Sequence, residues 1–190
     1  MRELKKALRK ELIKKRTEML RDVKYAADTD IFRQLVPLAD KASAVFTYAS
    51  TPIEVDTRMI IDYCLERGIP VATPVSGDTE LTFYFIRSTA ELSAGRFGID
   101  EPTDRNTPAV PDRNALCIVP ALCADGTGLR LGYGKGYYDR YLADFCGSSV
   151  IVCYSAFRMD VPSEPHDRRA DITIFDRTKE NGGQNGREPL

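Results

Sequence analysis

ASAVFTYASTPIEVDTRMIIDYCLERGIPV, residues 42–71, carries two different hydrophobic periods in one uninterrupted run. Its first part, 42–50, is short, aromatic and β-branched and lies between turn residues, the pattern of a buried strand. Ile60, Ile61, Cys64 and Leu65 then share one helical face, and the helix stops at Gly68, whose missing β-carbon suits a left-handed cap. Pro70–Thr73 reads as the next strand. A strand, a crossover helix and a second strand within thirty residues make a β-α-β unit and hence a parallel pair.

The rest of the chain extends this alternation. Residues 81–86 (LTFYFI) form a further strand, followed by Ser88 and Glu91 at capping-box spacing. The nearly all-apolar run ALCIVPAL, 115–122, suits a central parallel strand covered on both faces. A helix over 137–145 and strands over 149–154 and 170–175 complete the set. The segment 95–114, rich in Gly, Pro, Asp and Asn, reads as an ordered surface loop. The alternation predicts an α/β fold with a mostly parallel, doubly wound sheet, in which ligands bind beyond the carboxyl ends of the strands.

Ahead of this unit, Leu4, Leu8, Leu12, Met19 and Val23 recur at helical spacing and predict a helix over 3–23. A second helix is expected over 29–36, ending before Pro37. The first helix is strongly basic: Arg2, Lys5, Lys6, Arg9, Lys10, Lys14, Lys15 and Arg16 face only Glu3 and Glu11. Such a run is either the solvated face of an amphipathic helix or a site for an anionic ligand such as a polyphosphate.

Composition narrows the class. The chain has 190 residues, 43% of them hydrophobic and 29% charged, with a net charge of −1, which gives no overall case for nucleic acid. No stretch is long and apolar enough to cross a bilayer, and no hydrophobic signal region follows the basic N-terminus, so the protein is read as cytoplasmic. Cys64, Cys117, Cys123, Cys146 and Cys153 are odd in number, lack a C-x-x-C pair and mostly sit in apolar runs, so free buried thiols are expected. One domain over 1–176 is expected, with 177–190 a polar, disordered tail.

The chemistry concentrates in RLGYGKGYYDR, 130–140, directly after the central strand. Gly132, Gly134 and Gly136 permit positive φ and close approach of backbone N–H groups to a ligand. A helix starting near Gly136 adds its N-terminal donors and partial charge, while Lys135 and Arg130 add full charges, so the loop can cradle phosphate. It has neither the Walker A spacing nor the dinucleotide G-x-G-x-x-G spacing, so a ligand-free glycine turn is the competing reading.

Asp139, one helical turn from Lys135, is placed either to hold Mg2+ near those phosphates or simply to stabilise the helix N-terminus. His166 is the chain's single histidine and sits in a polar loop without a nucleophile elbow anywhere in the chain; Asp167 beside it could reach the same crevice from another strand end. Glu54 stands at the carboxyl end of the strand over 42–50, as a hydrogen-bond acceptor for a polar substrate or as a helix N-terminal acid.

VPALCADGTGLRLGYGKGYYDRYL, 119–142, closely resembles the signature of the 5-formyltetrahydrofolate cyclo-ligases. The resemblance extends in order through KKALRKEL near the N-terminus, FTYASTPIEVDT at 46–57, GRFGIDEP at 95–102 and VPSEPHD at 161–167. It implies a three-layer α/β/α fold similar to the NagB/RpiA/CoA-transferase group, a monomer without nucleic-acid or membrane partners, and ATP with Mg2+ acting on 5-formyltetrahydrofolate. ATP would then lie against Lys5, Lys6 and Arg9 and against Arg130, Leu131, Gly132, Tyr133, Gly134, Lys135, Gly136, Tyr137 and Tyr138. Folate would meet Ala49, Glu54 and the loop from Tyr133 to Tyr137, and Mg2+ would sit between Asp139 and Asp167, with Lys135 and Arg130 serving phosphoryl transfer to the formyl oxygen.

The alternatives are a paralogue acting on another formylated or carboxylated substrate, and a folate- or nucleotide-binding module without turnover. The chain departs from the family's usual residues at Ala121, Ala124 and Phe157, positions expected to touch the pocket wall.

Overall fold

The computed structural model describes residues 1–162, 164 and 167–178. Its frame is a six-stranded sheet in the order β10-β9-β6-β1-β2-β3, built from β1 (Val45–Phe46), β2 (Val71–Ser76), β3 (Leu81–Ile86), β6 (Leu116–Pro120), β9 (Ser148–Cys153) and β10 (Ile172–Phe175). Every neighbouring pair is parallel except β2 with β3, which form an edge hairpin closed by Gly77 N–H donating to Glu80 O at 2.9 Å. The β-α-β unit read from 42–71 is present, with helix α3 (Arg58–Glu66) as its crossover and Gly68 at φ 72° closing it.

The first strand of that unit is shorter than its sequence pattern. β1 pairs only through Val45 and Phe46, and Thr47 N–H makes one more bond to Ala72 O at 2.9 Å. Beyond it the side chains take over the backbone's partners. The Tyr48 hydroxyl donates to Val55 O (3.0 Å) and the Thr57 hydroxyl to Tyr48 O (2.6 Å), so 48–57 closes on itself as a compact turn.

Period-two register sorts the core. Phe46, Ala72 and Phe85 share one sheet face, and helix α4 (Tyr137–Asp144) covers it: Phe83 lies 4.6 Å from the Tyr141 ring and Phe46 lies 5.7 Å from the Phe145 ring. Phe46 and Ala72 are fully buried, while Phe85 on the edge strand is exposed; Val45 and Val71, on the opposite face, are fully buried, and all of β6 is buried, as a central strand between two helical layers must be. Helices α2 (Arg21–Ala39) and α3 pack on one another through Phe32 and Tyr63, with ring centroids 5.9 Å apart.

The N-terminal helices differ from their expected limits. The basic helix α1 ends at Thr17 and α2 begins at Arg21, although neither Pro nor Gly intervenes. A straight helix over the whole of both would be roughly 57 Å long at about 1.5 Å per residue, longer than a domain of this size is wide. The break lets both halves lie on the core. α2 also runs through Pro37 to Ala39; Pro37 and Arg33, four residues earlier, are both exposed, so the missing backbone donor leaves a carbonyl facing water.

The segment 95–114 holds more order than its composition suggests. Strands β4 (Leu92–Ala94) and β5 (Asp100–Pro102) make an antiparallel pair, anchored by the buried Glu101, whose carboxylate accepts from Ser76 N–H at 3.0 Å. A second small ribbon, β7 (Cys123–Ala124) with β8 (Arg130–Leu131), follows the central strand. Ser88 caps a single 3-10 turn over Thr89–Glu91 as its spacing predicts, accepting from Ala90 N–H at 3.1 Å. Among the described residues no helix is long and apolar enough to cross a membrane. Positions 179–190 of the expected tail lie outside the described residues.

The cysteines are all free, and Cys64, Cys117, Cys123 and Cys153 are buried while Cys146 is exposed. Burial pushes the thiols of Cys64, Cys117 and Cys153 up to about 12 and that of Cys123 to about 11, far from the thiolate form that reacts. A colorimetric thiol reagent added to the native protein is therefore expected to titrate Cys146 rapidly and the other four only after denaturation. Two or more fast thiols in the native state would contradict this burial.

Candidate active site

The carboxyl ends of β1, β6 and β9 open on one side of the sheet, and the segments leaving them build the site. After β6 the chain forms the β7–β8 ribbon, then the glycine loop, then α4. Gly134 (φ 95°) and Gly136 (φ 67°) take left-handed conformations that other residues resist, and Gly136 is the N-terminal cap of α4. Gly132 does not need its freedom in φ. Its role is a carbonyl that accepts from Arg9 Nε at 2.8 Å. A β-carbon at Gly134 would stand 3.1 Å from the Arg9 guanidinium, so the glycine also makes room for that cation.

Helix α1 supplies cations to this loop by turning part of its charge inward. Lys5, Arg9 and Arg16 lie on the helical face that carries the buried Leu12, whereas Lys6, Lys10, Lys14 and Lys15 stay exposed. Lys15 pairs with Glu11 (2.6 Å) and Lys14 with Glu18 (3.9 Å), surface contacts worth about 0–1 kcal/mol. Lys5 Nζ instead lies 2.7 Å from Asp167 Oδ2 and 2.9 Å from Glu164 Oε2. Burial opposes its charge, but the bonds to these two carboxylates outweigh it and raise the Lys5 pKa. The basic run is thus divided: one face is solvated, and the other turns its cations onto carboxylates and carbonyls of the fold.

Arg130 is buried to 4% side-chain exposure, donating to Asp139 Oδ1 at 3.0 Å and to Arg168 O at 3.1 Å. Arg168 N–H also reaches Asp139 Oδ1, at 3.3 Å, which draws the segment of Asp167 to the first turn of α4. Asp139 and Asp167, read as the Mg2+ ligands, are therefore brought to one place, each already facing a cation. Among the described residues no three His, Cys, Asp or Glu side chains gather as a metal cage. Two hard carboxylates beside one another are nevertheless the kind of donor set Mg2+ takes when water and a bound phosphate complete its shell, so these residues fit the ion. His166 lies outside the described residues.

On the other side of the loop, Glu54 is buried and its Oε2 accepts from both Thr51 N–H and the Thr51 hydroxyl, each at 2.8 Å. Tyr133 projects from the glycine loop to this carboxylate. Burial, and then the charge of Glu54 and the hydrogen bond to it, hold the Tyr133 phenol protonated well above its ordinary range. Ala49 is buried beside the same turn.

Other predicted contacts are placed differently. Leu131 and Tyr138 pack into the core, so only backbone there can serve a ligand, and the Tyr138 hydroxyl is buried with no hydrogen-bond partner among the described residues. The Tyr137 hydroxyl donates to Gly77 O at 2.9 Å and fastens α4 to the β2–β3 turn. Lys135 is exposed on the loop, and its carbonyl accepts from Arg140 Nη2 at 2.8 Å.

Arg16 is the residue the sequence reading counted without distinguishing. It donates to Ala121 O (2.6 Å), Leu122 O (2.9 Å) and Ile53 O (3.0 Å), and its guanidinium lies 5.1 Å from the Tyr154 ring centroid and 4.8 Å from that of Phe157. The Tyr154 hydroxyl stands 2.8 Å from both Asp28 Oδ1 and the Glu54 carbonyl. Spacing held the signal, since Arg16 follows Lys5, Arg9 and Leu12 on one helical face. Ala121, Ala124 and Phe157, expected at the pocket wall, are core residues instead, and Phe157 is a wall of the Arg16 cage.

Residues 1–176 match the profile of the 5-formyltetrahydrofolate cyclo-ligase family. The 5-formyltetrahydrofolate cyclo-ligase of Mycolicibacterium smegmatis is 27% identical over 172 residues, which are 86% of this chain and 89% of that one. The enzyme of the same name from Mycoplasma pneumoniae is 28% identical over 180 residues, 90% of this chain and 98% of its own. The solution structure of 5,10-methenyltetrahydrofolate synthetase from Aquifex aeolicus superposes with a TM-score of 0.79 at 28% identity, covering 98% of this chain and 96% of the other.

Proposed function

This chain belongs to the 5-formyltetrahydrofolate cyclo-ligase family, a family of ligases, and from that premise we propose that it converts 5-formyltetrahydrofolate to 5,10-methenyltetrahydrofolate with ATP as co-substrate. One observation carries the reading: the glycine loop lies between two differently built half-sites. Arg9, Arg130 and the N-terminus of α4 adjoin it on one side, with Lys5 held on Asp167 beyond Arg168, a set of positive groups that suits a triphosphate, and the buried Glu54 faces Tyr133 on the other.

In the proposed reaction the formyl oxygen attacks the γ-phosphorus, the bond to ADP breaks, and a phosphorylated imidate forms. N10 then attacks the formyl carbon and loses its proton, and the carbon–oxygen bond breaks to release phosphate. Phosphoryl transfer asks chiefly for alignment and charge neutralisation, so the chain needs no side-chain nucleophile. Lys135, Arg130 and the loop N–H groups would stabilise charge on the transferring phosphoryl group. Glu54 would accept from the pterin's donors, its carboxylate aimed by Thr51. Asp139 and Asp167 would hold Mg2+, which when bound to the triphosphate neutralises part of its charge.

The test is direct. Purified protein mixed with 5-formyltetrahydrofolate, ATP and Mg2+ should develop the absorbance of the methenyl product, with none when ATP is omitted. ATP hydrolysis driven only by a different formyl compound would transfer the reading to another substrate. Binding of either ligand without turnover would reduce the protein to a binding module.

A further inference from the structure

Lys135 stands between Gly134 and Gly136, both left-handed, and neither neighbour has a side chain with which to hold its peptide. That task falls to Arg140, at the end of the first turn of α4. Its Nη2 donates to Lys135 O at 2.8 Å and its Nε to Thr79 O at 2.6 Å, so one planar guanidinium joins the loop to the turn between β2 and β3. Gly136 makes room for this fork, since a β-carbon there would stand 2.8 Å from Arg140 Nη1. The guanidinium also lies 5.6 Å from the Tyr137 ring centroid, and the Tyr137 hydroxyl reaches the same turn at Gly77 O.

The turn is a fixed support, and the segment GRFGIDEP, 95–102, which has no part in the chemistry above, is what fixes it. Arg96 Nη1 donates to Gly77 O and to Asp78 Oδ1, each at 2.9 Å. Glu101, only 2% exposed, accepts from Ser76 N–H at 3.0 Å and from Arg105 Nη2 at 3.2 Å. Gly95 leaves the space for that carboxylate, because a β-carbon at 95 would stand 2.5 Å from Glu101 Cδ. A lysine between two glycines has little order of its own, and misplacing a catalytic group by about 1 Å can cost about 10²-fold in rate. We propose that Arg140 is a positioning residue: braced on the β2–β3 turn, it holds the Lys135 peptide so that the ammonium meets the transferring phosphoryl group. The assignment rests on the function proposed above and on the part of Lys135 in it.

A double-mutant cycle with Lys135 separates this role from a merely structural one. Arg140→Ala alone should lower kcat about tenfold and weaken binding of a non-hydrolysable ATP analogue with Mg2+ about threefold, while the KM for 5-formyltetrahydrofolate stays within about twofold and the protein melts near the wild-type temperature. In the Lys135→Ala background the same substitution should change kcat and the analogue's Kd by less than about twofold, because the group it aims is gone. Arg140→Lys, whose ammonium cannot span both carbonyls, should fall between wild type and alanine. Equal losses in both backgrounds, or no loss for Arg140→Ala, would overturn the positioning role. Should Lys135→Ala itself cost nothing, Lys135 leaves the mechanism and the positioning role falls with it. A wild-type protein that binds the analogue but converts no 5-formyltetrahydrofolate overturns the proposed function instead, and the cycle in analogue affinity then decides the positioning role alone; one that does not bind the analogue either overturns both.

Discussion

Lys135→Ala is expected to lower turnover in the proposed reaction about 10²–10³-fold, the usual loss when one charge is removed from a pre-organised transition-state site, and to leave the fold intact. The loop's shape explains the second half of that statement. It is set by the left-handed glycines at 134 and 136, by the Arg9 bond to Gly132 O and by the Arg140 bond to Lys135 O, all of which survive truncation of an exposed side chain. Arg130 offers no such separation, because its guanidinium is 4% exposed and ties α4 to the segment beyond Asp167. The informative measurement is kcat for methenyl product beside a thermal melt. Activity within about threefold of wild type, with an unchanged melt, would remove Lys135 from the mechanism.

Arg16→Ala destabilises the protein by about 3–5 kcal/mol, the upper range for a single substitution. Its guanidinium satisfies two buried carbonyls, at Ala121 and Leu122, and a partly buried one at Ile53, and fills the space between the Tyr154 and Phe157 rings. Alanine leaves those carbonyls without their donor and opens a cavity beneath the site. Arg16→Lys recovers only part of the loss, since a compact ammonium cannot reproduce the planar fork that reaches all three. Urea unfolding at equilibrium measures both, and a loss below about 1 kcal/mol for the alanine variant would show that Arg16 is not the clamp described here. Because Ile53 precedes Glu54 and Ala121 follows β6, partial unfolding should also weaken substrate binding before it abolishes secondary structure.

The site was partly legible before any coordinates. The glycine loop, its place after an all-apolar strand, and the candidate residues Arg130, Asp139, Asp167 and Glu54 follow from residue types and order, while the family resemblance singles out Lys5 and Arg9. The structure gathers Lys5 with Asp167 and Arg130 with Asp139, pairs separated by 162 and 9 positions. It also moved some contacts. Leu131 and Tyr138 turned to the core, and Lys6 remained exposed, because a helix or ribbon presents only some of its faces to any one neighbour.

Local pattern was sufficient for the parallel sheet, since hydrophobic period and glycine chemistry act over a few residues and are written in consecutive positions. The β-α-β unit of 42–71, the buried β6 and the left-handed glycines at 68, 134 and 136 belong to this class. The direction in which a basic helix aims its cations is of another kind. In sequence Arg16 is one of eight similar charges on α1; folding assigns it to carbonyls 37 and 105 positions away. That choice depends on which strand ends lie under the helix, and strand order is fixed by crossovers and packing spread over the whole chain. Nor does any single segment contain the support behind Lys135: Glu101, the β2–β3 turn and Arg140 come from separate excursions of the backbone, and only the closed sheet brings them together.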